Sequence, residues 1–151
     1  TSDTIAYVLL NAIHAKRMVF MIQKEVLPRL VAQPSEEGYG PLSILIAYLG
    51  KVKREFVVAR NHFAPAPHVD SLVVTIDVNP HNDYQKADIL FRLTMDLFHH
   101  RRKTIRNNLR IMLKDATVAD QALEKLEIDG SRRPEDLPLE AYLSLIKQLK
   151  F

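Results

Sequence analysis

Two stretches of this chain carry side chains whose type and spacing suit work on a polyanion. Between Asp96 and Asp115 lie Arg101, Arg102, Lys103, Arg106, Arg110 and Lys114, with His99 and His100 beside them, so six of the 21 basic residues fall in one short segment. No acid interrupts 99–114. Projected as a helix from Arg101 to Lys114 at about 100° per residue, the segment puts Ile105, Leu109 and Met112 on one face. Lys103, Arg106, Arg110 and Lys114 form a stripe beside that face. Such a helix buries one flank and offers a line of cations to phosphates, whose neutralisation releases counterions. A solvated surface face is the competing reading, and the lack of interleaved acids favours RNA or DNA.

The second stretch is Asn61-His-Phe63-Ala-Pro65-Ala-Pro67-His-Val69-Asp70-Ser71. One reading is a proline-stiffened connection between two strands, with Phe63 plugging the core and Asp70 and Ser71 fixing the turn. The other is that Pro65 and Pro67 hold an aromatic ring at a sheet edge, where it stacks on an extruded base. The residues alone favour the first. The six histidines (14, 62, 68, 81, 99 and 100) show no metal-ligand spacing, so no metal is expected. Without cysteine, disulfides, zinc ribbons and thiol catalysis are excluded.

These residues need a scaffold. At 47% hydrophobic and 26% charged, the composition is that of a globular protein. No stretch reaches the roughly 20 apolar residues of a membrane span, and the run Ile5–Leu10 is short and preceded by Asp3, unlike a signal peptide. The first residue is Thr1, which points to a processed, trimmed or partial chain. The turn-rich cluster Asn79–Asp83 divides the sequence. Before it, Asp3 caps a predicted helix to about His14; Arg17–Gln23 reads as a strand buried between helices on both sheet faces. A helix is expected over Lys24–Ala32, with Pro28 tolerable only in its first turn. A loop over Gln33–Tyr39 leads to a helix over Pro41–Leu49, and strands follow over Val52–Ala59 and Val69–Val78. After it, helices are predicted over about Tyr84–His99, Arg101–Lys114, Val118–Lys125 and Leu139–Gln148. The order suggests the end of a doubly wound sheet followed by a helical domain, with domains at 1–80 and 81–151. Its four glycines (38, 40, 50 and 130) form no phosphate-cradling turn.

Five motifs then stand in order: Gln23-Lys24-Glu25-Val26 with Arg29-Leu30; Tyr39-Gly40-x-Leu42-Ser43; Phe63-x-Pro65-x-Pro67-x-Val69-Asp70-Ser71; Arg101-Arg102-Lys103-Thr104-Ile105-Arg106-Asn107-Asn108-Leu109; and Arg133-x-Glu135-x-Leu137. In this order and spacing the chain resembles the KsgA-type small-subunit rRNA adenine N6-dimethyltransferases, relatives of the Erm methyltransferases. The resemblance covers nearly the whole chain and starts just past the family's catalytic Asn/Asp-Leu/Pro-Pro-Tyr/Phe motif. It implies an α/β fold: the C-terminal part of a class I methyltransferase (Rossmann-like) sheet, then a small all-α domain, with the cofactor-binding half absent and Thr1 and Ser2 immediately after the catalytic motif.

The resemblance further implies transfer of two methyl groups from S-adenosylmethionine to N6 of each of two adjacent adenines near the 3′ end of small-subunit rRNA, in ribosome biogenesis. Because the N6 lone pair is delocalised into the ring, orienting it is the main catalytic effect expected. Phe63 would supply one face of the clamp on the flipped adenine. Arg101, Arg102, Lys103, Arg106 and Arg110 would contact rRNA phosphates with help from Asn107, and Lys24 and Arg29 near the pocket. No cofactor-binding residue lies in this chain, which alone would be inactive and bind no S-adenosylmethionine. The expected setting is a cytoplasmic monomer on a pre-30S-type particle, away from membranes. Two alternatives remain: a non-catalytic rRNA-binding or assembly module, and a transcription-factor-like relative that binds nucleic acid without methylating.

Overall fold

Local rules account for most of the elements in the computed structural model, which describes residues 2–151; the expectation for Thr1 lies outside the described residues. Helix α1 spans Ser2–Asn11, so Asp3 sits in its first turn rather than capping it. Asn11 ends the helix by donating its side-chain amide to the Tyr7 carbonyl at 2.7 Å. Strand β1 spans Arg17–Gln23. The single helix expected over 24–32 is divided into a 3-10 turn, Lys24–Val26, and α2, Leu27–Val31. The division puts Pro28 in the first turn of α2, where its missing N–H breaks no helical bond. Helix α3, Pro41–Leu49, opens on a cap in which the Ser43 hydroxyl bonds both the amide and the carbonyl of Gly40 at 2.9 Å.

Strand β2 follows directly as Gly50–Val58, and β3 is Ser71–Val78. β3 lies in the middle of the sheet, antiparallel to both neighbours, in the order β1-β3-β2. Register runs from Arg17↔Asp77 to Gln23↔Ser71 on one side and from Gly50↔Val78 to Val58↔Ser71 on the other, with a bulge between Arg54 and Phe56. Gly50 is required by close approach: a Cβ there would collide with the Asp77 carbonyl oxygen.

One sheet face is core. Met18 and Ile22 join Leu72, Val74 and Ile76 in a cluster with Ile5 and Leu9 of α1 and Leu42, Leu45, Ile46 and Leu49 of α3. The other face corrects the expectation of a strand buried on both sides. Val19 is 63% exposed, Met21 57% and Phe56 60%. Among the described residues helices pack on one face only, and β1 has a strand partner along one edge only. A continuous apolar run looks the same in sequence whether one or both of its faces are covered.

The second half is helical: α4 Tyr84–His99, α5 Ile105–Leu113, α6 Ala116–Lys125 and α7 Leu139–Leu149. Asp83 and Asp115 cap α4 and α6 by accepting from the Lys86 and Val118 amides. Leu90, Leu97, Ile105, Leu109, Leu123, Tyr142 and Leu145 form a second core that also takes in Ala32, Tyr39 and Ile44 from the first half. Polar clasps join the two halves. The Tyr39 hydroxyl donates to the Leu137 carbonyl at 2.7 Å, the Ser35 amide to the Glu135 carbonyl at 2.8 Å, and the Ser35 hydroxyl to the Asp136 carboxylate at 2.9 Å. The Tyr39–Ser43 and Arg133–Leu137 motifs are therefore two sides of one clasp.

Candidate nucleic-acid interface

The basic segment is not the helix that its charge pattern predicts. Arg101, Arg102 and Lys103 lie in a turn, closed by the Lys103 amide on the His100 carbonyl at 2.8 Å. Thr104 caps α5 by accepting from the Asn107 amide at 3.3 Å, so the helix starts at Ile105. Lys114 adopts the left-handed conformation that ends it. The predicted stripe of four cations thus reduces to Arg106 and Arg110 on the helix itself. The Thr104 hydroxyl, accepting from the Asn107 main-chain amide, is the signal that outweighs the acid-free basic run.

Partners sort the cations further. Arg110 grips Asp120 of α6 with Nε at 3.1 Å and Nη2 at 2.5 Å, and Arg106 Nε stands 3.7 Å from the same carboxylate. The Arg110 hydrogen bond, helped by the charges of both arginines, holds the Asp120 carboxyl below the usual carboxylate range. Arg101 donates Nε and Nη2 to Glu135 at 3.2 and 2.7 Å. Among the described residues Arg102 and Lys103 are exposed and have no acidic partner within salt-bridge distance, and Asn107 is exposed beside them. The acids that sequence projection found missing come from the next helix and from the Arg133–Leu137 loop.

Arg29 and Arg101, far apart in sequence, line one cavity of about 440 Å³ with Asp3, Glu37, Tyr39, Phe91 and Phe98. Lys24 lies elsewhere, in a hollow with Arg60, His68 and Asp70. That hollow is the root of the Phe63 loop. Arg60 donates its amide to the Asp70 carboxylate at 3.0 Å and its guanidinium to the His68 carbonyl at 3.2 Å; the Lys24 amide donates to the Asp70 carbonyl at 3.1 Å. Asp70 thus ties the end of β1 and the 3-10 turn Arg60–His62 to the start of β3. Phe63 follows that turn and is half-buried, neither a core plug nor a free ring. Arg60 falls in no cationic run and is not singled out by the sequence, and His68 stands in the aromatic stretch without a role that its type assigns.

The glycines offer no cradle for a nucleotide-like cofactor. A Cβ at Gly38 would meet the Pro28 backbone, at Gly40 the Phe98 ring, at Gly50 the Asp77 backbone and at Gly130 the Arg106 guanidinium. At Gly38, Gly50 and Gly130 the space a Cβ would take is already filled by the protein itself, whereas Gly40 makes only an ordinary van der Waals contact. Among the described residues no group of three or more His, Asp or Glu side chains is placed to hold a metal, and no helix is long and apolar enough to cross a membrane.

The fold is that of a class I methyltransferase. The structure superposes on a dimethyladenosine transferase from Plasmodium falciparum with a TM-score of 0.75 at 22% identity, covering 99% of this chain and 64% of that one. On the 23S rRNA methyltransferase ErmE the TM-score is 0.62 at 16% identity, covering 99% and 61%. Residues 1–150 match the model of the ribosomal RNA adenine dimethylase family, and the chain belongs to that family. Ribosomal RNA small subunit methyltransferase A from Macrococcus caseolyticus is 42% identical over 87% of this chain and 47% of the relative. The protein of that name from Pseudomonas fluorescens is 39% identical over 99% of this chain and 54% of the relative. The chain spans about half the length of the curated relatives it matches.

Proposed function

We propose that these residues form the RNA-gripping and base-holding part of an S-adenosylmethionine-dependent methyltransferase. It would dimethylate N6 of two adjacent adenines near the 3′ end of small-subunit rRNA during ribosome biogenesis, on a pre-30S-type particle. The observation that carries this reading is the family match over residues 1–150, supported by the names of the relatives. On it, Phe63 stacks on the flipped adenine from a loop rooted at Asp70. Arg102 and Lys103 contact phosphates from their turn. Arg101 and Arg29 face the RNA across their shared cavity, Lys24 adds charge at the root of the Phe63 loop, and Arg106, Arg110 and Asn107 flank the turn. Residues 1–80 act as the methyltransferase portion and 81–151 as the helical RNA-binding domain.

The methyl donor would be held by residues corresponding to the part of the relatives that this chain does not match. The bare face of the sheet, with Val19, Met21 and Phe56, and the outer edge of β1 suit cover by those residues. What this chain supplies is position: a stacking face for the base and cations for the backbone.

Charge reversal tests the assignment. Arg102→Glu with Lys103→Glu should weaken binding of an RNA hairpin and flatten the salt dependence of its affinity, by about 0.7–0.9 log unit per lost phosphate contact. Unchanged affinity and slope would remove the turn from the interface.

A further inference from the structure

The fourth motif contains two adjacent asparagines with opposite fates. Asn107 is exposed, whereas Asn108 is only 2% exposed. The Asn108 carboxamide nitrogen lies 3.2 Å from each of three main-chain carbonyl oxygens, those of His100, Lys103 and Thr104, which share its two N–H donors. The Thr104 bond is the local one, back along the first turn of α5. The other two reach out of the helix and hold both ends of the turn that carries Arg101, Arg102 and Lys103. Three carbonyl oxygens converging on one nitrogen also settle which end of the carboxamide faces them, since an oxygen there would meet only acceptors.

The turn has other supports: the Lys103 amide closes it on the His100 carbonyl at 2.8 Å, and further contacts hold Arg101 and the residues that follow it. Thr104 caps the helix, the Ile105 amide donates to the Arg132 carbonyl at 2.6 Å, and Arg101 is drawn towards Glu135. No side-chain hydrogen bond or ion pair among the described residues restrains Arg102 or Lys103 directly, so the placement of both rests on the backbone that carries them.

We propose that Asn108 is a positioning residue for RNA recognition: its buried carboxamide fixes the His100–Thr104 turn, and thereby presents Arg102 and Lys103 to the phosphodiester backbone as a preformed pair. A cation already held in its bound geometry loses less freedom on binding than one on a loose loop. Asn108 touches no RNA itself. This inference rests on the reading of the turn as an rRNA contact given above.

The test is a double-mutant cycle on the 151-residue chain, with a labelled RNA hairpin carrying two adjacent loop adenines as probe. Asn108→Ser is the principal variant. A serine hydroxyl reaches back to the i−4 carbonyl of Thr104 but not to His100 or Lys103, so α5 is kept while the turn loses both of its Asn108 anchors and keeps only its main-chain closure. Asn108→Ala is the second variant, and the thermal midpoint of each reports folding. Asn108→Ser should weaken RNA binding by about three- to tenfold, corresponding to 0.65–1.4 kcal/mol, and lower its salt slope. In an Arg102→Ala/Lys103→Ala background the same substitution should change affinity less than about twofold, because its effect passes through those two side chains. An equal loss of affinity in both backgrounds would overturn the proposal and leave Asn108 a purely structural residue. No effect of Asn108→Ser on binding by a folded chain would overturn it too. If Arg102→Ala/Lys103→Ala itself left affinity and salt slope unchanged, the reading of the turn as an RNA contact would fall, and this inference with it.

Discussion

Asp120 shows how a single carboxylate redefines a cationic surface. It takes up Arg110 through two hydrogen bonds and lies 3.7 Å from Arg106, so that two of the arginines that sequence assigns to phosphate are already paired. Its carboxyl is held below the usual range by those partners. A depressed folded pKa adds stability that is complete above the unfolded value, about 3.9, and fades as the pH falls through the folded one. The thermal midpoint of the native chain should therefore drop below about pH 4 more steeply than that of Asp120→Asn. Equal acid sensitivity would show the pair to be energetically idle, as exposed pairs often are. This pairing was hidden from the sequence for a geometric reason. Helical projection places residues of one helix relative to each other, whereas Asp120 and Arg110 meet across the α5–α6 hairpin. Asn108 was quoted as part of a motif, but nothing in its type separates it from its exposed neighbour Asn107.

At the level of elements, the clasp between the two halves carries the clearest energetic consequence. The Tyr39 hydroxyl lies in the second core, and the Leu137 carbonyl is its acceptor. Tyr39→Phe leaves that carbonyl without its partner and should cost about 1–3 kcal/mol in urea unfolding. A change within measurement error would mean that water replaces the hydroxyl. Burial, with the charge of Glu140, also pushes the Tyr39 phenol up to about 12. A raised folded value means stability that is intact below the ordinary tyrosine range and lost as the pH climbs towards 12, and Tyr39→Phe removes that part of the alkaline sensitivity. Several elements were legible because their signals are local: β1 by its apolar run with polar ends, α3 by Pro41 at its start and Gly50 after its end, α4 by its periodicity. The start of α5 was misplaced because one run of basic residues, all good helix formers, spans both a turn and a helix. Thr104 decides where one becomes the other.

For the whole molecule, the absence of a Gly-rich turn was readable in four glycines, and the structure adds that each of them packs against the chain itself. The bare sheet face was not readable, since Val19 and Met21 look in sequence like core residues and are exposed. On the function proposed above, a half-length chain of this family with a cationic turn and an aromatic loop implies a division of labour: the donor would be bound elsewhere, and base and backbone would be held here. Methylation by this chain joined in frame to the part of the Pseudomonas fluorescens relative that it does not match, on immature small ribosomal subunits, tests that division most directly. The joined protein should form N6,N6-dimethyladenosine, and Phe63→Ala should reduce its rate by about five- to 150-fold, the loss of one base–aromatic stack worth about 1–3 kcal/mol. Dimethylation by Phe63→Ala at the unaltered rate, or none by the joined and folded parent, would contradict the account.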